Sequence, residues 1–435
     1  MPQLQAMRHN TLDAWLGWLE QRHPQEIDLG LTRIREVAER LGLLQPKARV
    51  LTVAGTNGKG SCVAASAYLL RRAGYRVGVF TSPHLQHYCE RIVVDGNPVS
   101  EAEVCEAFAA IDAASGDISL TYFEYGALAA LEVFRRRDVD ILVLEVGLGG
   151  RLDAVNILDA DVAVVTSIEL DHQDWLGDSR ESIGREKAGI FRSGKPAVCA
   201  DASPPESLLA SAHEIGAALY RLDQDFGVET QGDTWRWWGK NIAGGQIEET
   251  QNFEQLPLAA LPLPSVAAAI QSVRLLGVTP QHEWLRDLSD LGLPGRFQCI
   301  VHAGREFILD VGHNPAATRY LANRLAARPA QGRTHAVVAM MADKDYRSSV
   351  GALVGQVDAW WLARLSEVPR AASPEQLARA LREYGAEPAG EGSVKDCIEQ
   401  CVRETETGDR IVILGSFFTV AAALDWLDSA PEANL

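Results

Sequence analysis

Apolar residues first repeat at helical spacing between residues 10 and 44: Leu12, Trp15, Leu16 and Leu19, then Leu31, Ile34, Val37 and Leu41. Both sets predict helices with one buried face, the second stopped by Gly42. The period then changes. Val50, Leu51, Thr52 and Val53 form a short β-branched run, and RVGVFTS (76–82), DILVLEVG (140–147) and DVAVVTSI (161–168) read as further strands. Continuous apolar runs of this kind are buried on both faces of a parallel sheet. Capping boxes at Ser100/Glu103 and Thr121/Glu124 open two helices, and IVVDGNPVS predicts a strand entering an Asp-Gly turn.

Strands alternating with helices make the N-terminal part α/β, with a doubly wound sheet. Residues 226–255 break the rhythm. Trp235, Trp237, Trp238 and polar neighbours predict a small antiparallel excursion there. A helix from Pro264 to Leu276 and the stretch to Leu291 close the first domain, and the Gly/Pro-rich LGLPGR is the linker. EFILDVG, THAVVAMM, DAWWLARL and DRIVILGS then read as four strands with helices such as SPEQLARALREYG between them, a second, smaller Rossmann-like α/β domain. The expected boundaries are residues 1–290, a linker at 291–297, and 298–435.

Composition narrows the function. A chain of 435 residues has room for two or three domains, and a net charge of −17 argues against non-specific nucleic-acid binding. MPQLQAMRHN has no apolar core of a signal peptide, and no run approaches the ~18 apolar residues of a membrane helix. The seven cysteines are scattered without zinc-knuckle spacing, as reduced thiols of a cytoplasmic protein would be.

The chemistry centres on AGTNGKGS after the first strand. Gly55, Thr56, Asn57, Gly58, Lys59, Gly60 and Ser61 form a glycine loop with a lysine at a helix N-terminus, which suits a phosphate group. The match to G-x-x-x-x-G-K-[ST] is imperfect: Val53 stands at the first glycine and Gly60 at the Ser/Thr position. Ser82, Glu145 and the Glu169, Asp171, His172 group each follow an apolar run, so polar residues gather at the carboxyl end of the sheet, where ligands bind. From position alone, Glu145 is either a capped or ion-paired carboxylate or a Mg²⁺ ligand. His172 is likewise either a structural histidine or a metal or phosphate ligand. Arg151 and Asp153 read as charges on an exposed loop after Gly147, Gly149 and Gly150, and Lys187 as a solvated helix lysine. Asp310, His313 and Asn314 follow a strand in the second half, and Arg296 sits in the linker, placed to reach a nucleotide in an interdomain cleft.

VAGTNGKGS, TSPHL, TYFEYGALAALEVF, EVGLGGRLDAVNI, SIELDHQDWLG, REKAGIF, LPGRF and LDVGHNP, in this order, closely resemble the bacterial bifunctional dihydrofolate synthase/folylpolyglutamate synthases of the Mur ligase family. The resemblance implies a P-loop-type ATPase domain that also holds the pterin substrate, and a C-terminal glutamate-ligase domain. It further implies an ATP- and Mg²⁺-dependent ligase joining L-glutamate to dihydropteroate and to the γ-carboxylate of reduced folates, as a monomer without nucleic-acid or membrane partners. By the same resemblance Ser82, Glu145, His172 and a carbamylated Lys187 hold Mg²⁺, while Lys59 and the loop amides hold the phosphates. Arg296 and Asp310 contact ATP, His313 lies near the phosphates and the incoming glutamate, and Thr121, Phe123, Arg151 and Asp153 line the pterin site. The chain departs from the pattern at Ser265, where the family carries an asparagine near the adenine; this puts that ATP contact in question. The alternative reading is a Mur-type cell-wall amino-acid ligase, against which the roughly 50 residues before Gly55 argue, since a separate UDP-binding domain is ordinarily larger.

Overall fold

The computed structural model describes residues 7–243 and 246–429, and the chain divides into two compact units, Met1–Leu291 and Gly292–Leu435. In the first, eight strands make one sheet: β1 (Arg49–Ala54), β2 (Val77–Phe80), β3 (Ile92–Val94), β4 (Asn97–Pro98), β5 (Ile141–Glu145), β6 (Val162–Val165), β7 (Pro196–Cys199) and β8 (Ala218–Arg221). Their order is β4-β3-β2-β5-β1-β6-β7-β8. β3 and β4 run antiparallel at one edge and the rest pair in parallel. β5 and β6 are buried along their whole length, which is why they read as unbroken apolar runs. They flank β1, so whatever leaves the end of β1 lies between two strand ends.

The Asp-Gly turn joins β3 to β4 with φ of 52° at Asp95 and 84° at Gly96, the paired positive angles that tight hairpins use. Both capping boxes form, opening helices Glu101–Ser115 and Tyr122–Arg136. The two leading helices are Leu12–Arg22 and Thr32–Leu41, the second ended by Gly42 in a left-handed cap. Residues 226–257 form the expected excursion, a three-stranded antiparallel sheet of β9 (Phe226–Gln231), β10 (Thr234–Ala243) and β11 (Gln246–Pro257). It docks through buried Trp237, whose indole N–H donates to the Ala267 carbonyl of helix Leu263–Leu275 at 3.2 Å.

The second unit is a six-stranded sheet of β12 (Gln298–His302), β13 (Arg305–Asp310), β14 (Thr334–Val338), β15 (Ala359–Arg364), β16 (Pro388–Ser393) and β17 (Arg410–Leu414). The order is β12-β13-β17-β14-β15-β16, parallel except for β12. The four central strands are the four that hydrophobic runs predict. The two edges are additional. β16 is PAGEGS, alternating half-buried and exposed, and carries no apolar run to read.

Candidate active site

The glycine loop leaves β1 and enters helix Lys59–Arg72, with Gly58 as a left-handed N-cap at φ 85°. The backbone comes so close to its neighbours that side chains are excluded. A Cβ on Gly55 would lie 1.8 Å from Thr166 Oγ1, and one on Gly58 2.4 Å from Ser265 Oγ. The segment after β6 braces the loop. Thr56 N–H donates to the Ser167 carbonyl at 2.7 Å, Asn57 N–H to Ser167 Oγ at 3.0 Å, and Thr166 Oγ1 to the Asn57 carbonyl at 2.7 Å. Lys59 folds back, its ammonium 3.0 Å from the Gly55 carbonyl and 3.3 Å from that of Thr56. A lysine over a glycine loop at a helix start is suited to hold an anion.

Two polar residues reach the same sheet end. Glu145 pairs in register with Val53 of β1 and is buried at 6 % exposure. Ser82, beyond the end of β2, donates its N–H to Glu145 Oε2 at 3.4 Å. Burial of a carboxylate is unfavourable unless it meets a positive partner or donors.

The loop after Glu145 differs from its sequence reading. Arg151 is exposed as expected and ion-pairs with Glu186 at 2.8 Å, but Asp153 is buried. Its Oδ2 accepts from Gly147 N–H at 3.0 Å and Leu148 N–H at 2.9 Å, and its Oδ1 from Val155 N–H at 3.0 Å. Burial pushes the carboxyl up to about 6, against the pull of these amides and of Lys59. Asp153 thus ties the glycine loop into a fixed turn. Thr121 caps helix Tyr122–Arg136, and the Phe123 ring packs so closely on Gly147 that a Cβ there would come within 2.6 Å of it. Phe123 also meets Phe80 at 5.7 Å between centroids.

Lys187 is a second correction. It lies near the end of helix Arg180–Ala188 and is 3 % exposed, not solvated. The glycine loop covers it: Arg151 N–H donates to the Glu186 carbonyl at 2.8 Å, and a Cβ on Gly150 would stand 3.1 Å from Lys187 Cα. Among the described residues its amine makes no hydrogen bond or ion pair. Burial, reinforced by Lys59 and only partly offset by Asp171 and Asp153, lowers it to about 7. At neutral pH about half of such amines are uncharged.

His172 is not at a strand end. β6 stops at Val165, and His172 stands further along a loop with φ 51°, as N-cap of the short helix Gln173–Leu176. Its side chain is 39 % exposed and Nε2 lies 4.0 Å from Asp171 Oδ1. Among the described residues no three His, Cys, Asp or Glu side chains cluster as a metal cage. One buried carboxylate with a neighbouring serine and a loop imidazole is a donor-poor set. Mg²⁺ accepts that, because it keeps waters and takes much of its coordination from substrate phosphates.

In the second unit Asp310 ends β13 and clamps the turn before β12: its Oδ2 accepts from Phe297 N–H and its Oδ1 from Gly312 N–H, both at 2.8 Å. Burial raises this carboxyl, with Arg296 the chief opposing charge. His313 donates Nδ1–H to the Val311 carbonyl at 3.0 Å, which leaves the ring lone pair on Nε2. Asn314 caps helix Pro315–Ala327.

Sequence reasoning missed Thr166 and Ser167, which read as the tail of a strand. It also missed Asp201, whose Oδ2 accepts from Ile168 N–H at 2.7 Å and from Arg180 at 3.0 Å. Their partners lie far along the chain, and only the sheet order brings them together.

Residues 53–215 match the Mur ligase middle domain and residues 295–417 the Mur ligase glutamate ligase domain, so the fold is that of a Mur ligase. The chain is 44 % identical over 425 residues to the dihydrofolate synthase/folylpolyglutamate synthase of Escherichia coli strain K12, covering 97 % of this chain and 96 % of that one. The E. coli FolC structure in complex with DHPP and ADP superposes with a TM-score of 0.91 at 43 % identity, over 98 % and 99 % of the two chains. A bifunctional folylpolyglutamate synthase/dihydrofolate synthase with Mn, AMPPNP and L-glutamate bound gives 0.88 at 45 % identity, over 96 % and 98 %. The chain belongs to the dihydrofolate synthase/folylpolyglutamate synthase family. Among the described residues no helix is long and apolar enough to cross a membrane.

Proposed function

We propose that this chain uses ATP and Mg²⁺ to join L-glutamate to 7,8-dihydropteroate, giving dihydrofolate, and to the γ-carboxylate of reduced folates. The observation that carries the reading is that the glycine loop, Glu145 and Ser82 share one sheet end, set by the Val53–Glu145 register and the 3.4 Å Ser82–Glu145 contact. A carboxylate has no leaving group, so its oxygen first attacks the γ-phosphorus of ATP and ADP departs. The glutamate amine, once it has lost its extra proton, adds to the acyl carbon. The tetrahedral adduct then expels phosphate and the amide remains.

Phosphoryl transfer needs positioning and positive charge more than covalent help. The loop of Gly55, Thr56, Asn57, Gly58, Gly60 and Ser61 cradles the phosphates at the helix start, its shape held by the Thr56 and Asn57 amides that donate to Ser167. Lys59 swings from its own loop carbonyls onto the β- and γ-oxygens. When bound, Mg²⁺ neutralises the charge on the transferring group; Ser82, Glu145, His172 and Lys187 are the residues that would hold it. The uncharged Lys187 amine can add to CO₂ with loss of a proton, turning a buried base into an anionic oxygen donor. Arg296 and Asp310 contact the nucleotide, and His313 Nε2 can take the proton that the glutamate amine sheds.

Phe123 offers a ring face to the flat pterin, beside Thr121 and Arg151. Three of the roughly four acceptor positions of the Asp153 carboxylate are used by its own loop, which leaves one for a pterin N–H. The reading places the chain in the cytoplasm as a monomer acting on small molecules, without nucleic acid. Dihydropteroate labelled with heavy oxygen in its carboxylate tests the chemistry. Transfer of one label into the released phosphate is expected, and unlabelled phosphate would exclude the acyl phosphate.

A further inference from the structure

The turn that carries Arg296 is unusual in its backbone. Gly295 has φ 66°, and Phe297, not a glycine, has φ 45°. A bulky residue stays in the left-handed region only where its surroundings over-determine it. The backbone is tied at three points. Val311 N–H donates to the Gly295 carbonyl at 2.9 Å, Gly295 N–H to Gln298 Oε1 at 2.9 Å, and Phe297 N–H to Asp310 Oδ2 at 2.8 Å.

The side chain supplies a fourth restraint. The buried Phe297 ring lies under the Arg324 guanidinium, 3.9 Å from Cζ to ring centroid. Arg324 comes from helix Pro315–Ala327, the helix that follows His313 and Asn314. Its charge also reaches the Asp310 carboxylate that holds the Phe297 amide. Arg296 itself rests against the Phe417 ring at 5.1 Å. One arginine therefore presses on the ring and supports the carboxylate that together define the turn.

We propose that Arg324 is a positioning residue for nucleotide binding: stacked on Phe297, it holds the left-handed turn that aims Arg296. The inference rests on the reading of Arg296 as an ATP contact. A positive charge is needed at 324 because the ring face attracts a cation, and Phe297 is needed as its platform. The two side chains act as one unit, and their substitutions are non-additive.

The test is steady-state kinetics on the full chain with Arg324→Ala, Arg324→Lys, Phe297→Leu, the Arg324→Ala/Phe297→Leu double variant and Arg296→Ala. Arg324→Ala is expected to raise the KM for ATP about 5- to 20-fold with kcat changed less than about 2-fold. Arg324→Lys recovers most of that loss, Phe297→Leu reproduces it, and the double variant is no worse than either single one. Phe297→Leu keeps an apolar group in the pocket, so folding is preserved. A loss in Arg324→Ala that Phe297→Leu does not share would make Arg324 a direct contact and overturn the proposal. An unchanged KM for ATP in Arg324→Ala beside an impaired Arg296→Ala would overturn it as well. An unimpaired Arg296→Ala would remove the nucleotide reading of the turn itself, and the inference with it.

Discussion

Lys187 is buried and its amine feels the charge of Lys59, with Asp171 and Asp153 as the offsetting charges. The pKa of Lys187 falls from 10.5 to about 7. Between those values the unfolded chain carries a proton that the folded chain lacks, so stability rises with pH across that window. Lys187→Met is expected to flatten this slope, read from urea midpoints near pH 7 and pH 9. It is also expected to cut kcat by about 10²-fold, the scale for removing one charge-stabilising group.

Glu145→Gln keeps the shape of the strand end and removes the negative charge. Ligation is expected to fall by about 10²-fold and to need more Mg²⁺ for half-maximal rate. Thermal stability stays level or rises, because a buried carboxylate has been neutralised. A metal titration of the activity, paired with a melting curve, reads both effects.

Ser167→Ala removes the acceptor of the Asn57 amide and leaves the Thr56 contact, which uses the backbone carbonyl. The expected outcome is a rise of about 3- to 10-fold in the KM for ATP, the scale of one lost hydrogen bond, with the KM for glutamate unchanged. Initial rates with each substrate varied in turn check it.

Asp153 titrates near 6 rather than 3.8. Between those values the folded chain holds a proton that the unfolded chain lacks, so this group's contribution to stability falls as pH rises from 3.8 to about 6. Below about 6 a protonated oxygen also loses hold of the Gly147 and Leu148 amides. The KM for the pterin acceptor is therefore expected to rise as pH drops through 6. Asp153→Asn is expected to show about tenfold weaker acceptor binding with that inflection gone.

The central strands were legible because β5 and β6 are buried on both faces, which leaves a continuous apolar run in the chain. The edge strands β8, β12 and β16 were not, since edge strands carry no such run, and neither was β7, whose PAVC opens on a proline. The phosphate loop and Glu145 were legible as glycines and a carboxylate placed where strands end. Lys187 was not. It follows Arg185 and Glu186 on a polar helix, and the glycine loop packed against its backbone comes from far along the chain. Asp153 was misread for the same reason: its partners are amides, which have no signature in the side-chain pattern.

The most direct measurement is phosphate release from the purified chain with Mg-ATP and L-glutamate, adding dihydropteroate and tetrahydrofolate separately, with mass analysis of the products. Release that depends on each acceptor, with one glutamate added to each, is the expected result. Phosphate release independent of either acceptor, with no glutamyl product, would contradict the ligase account.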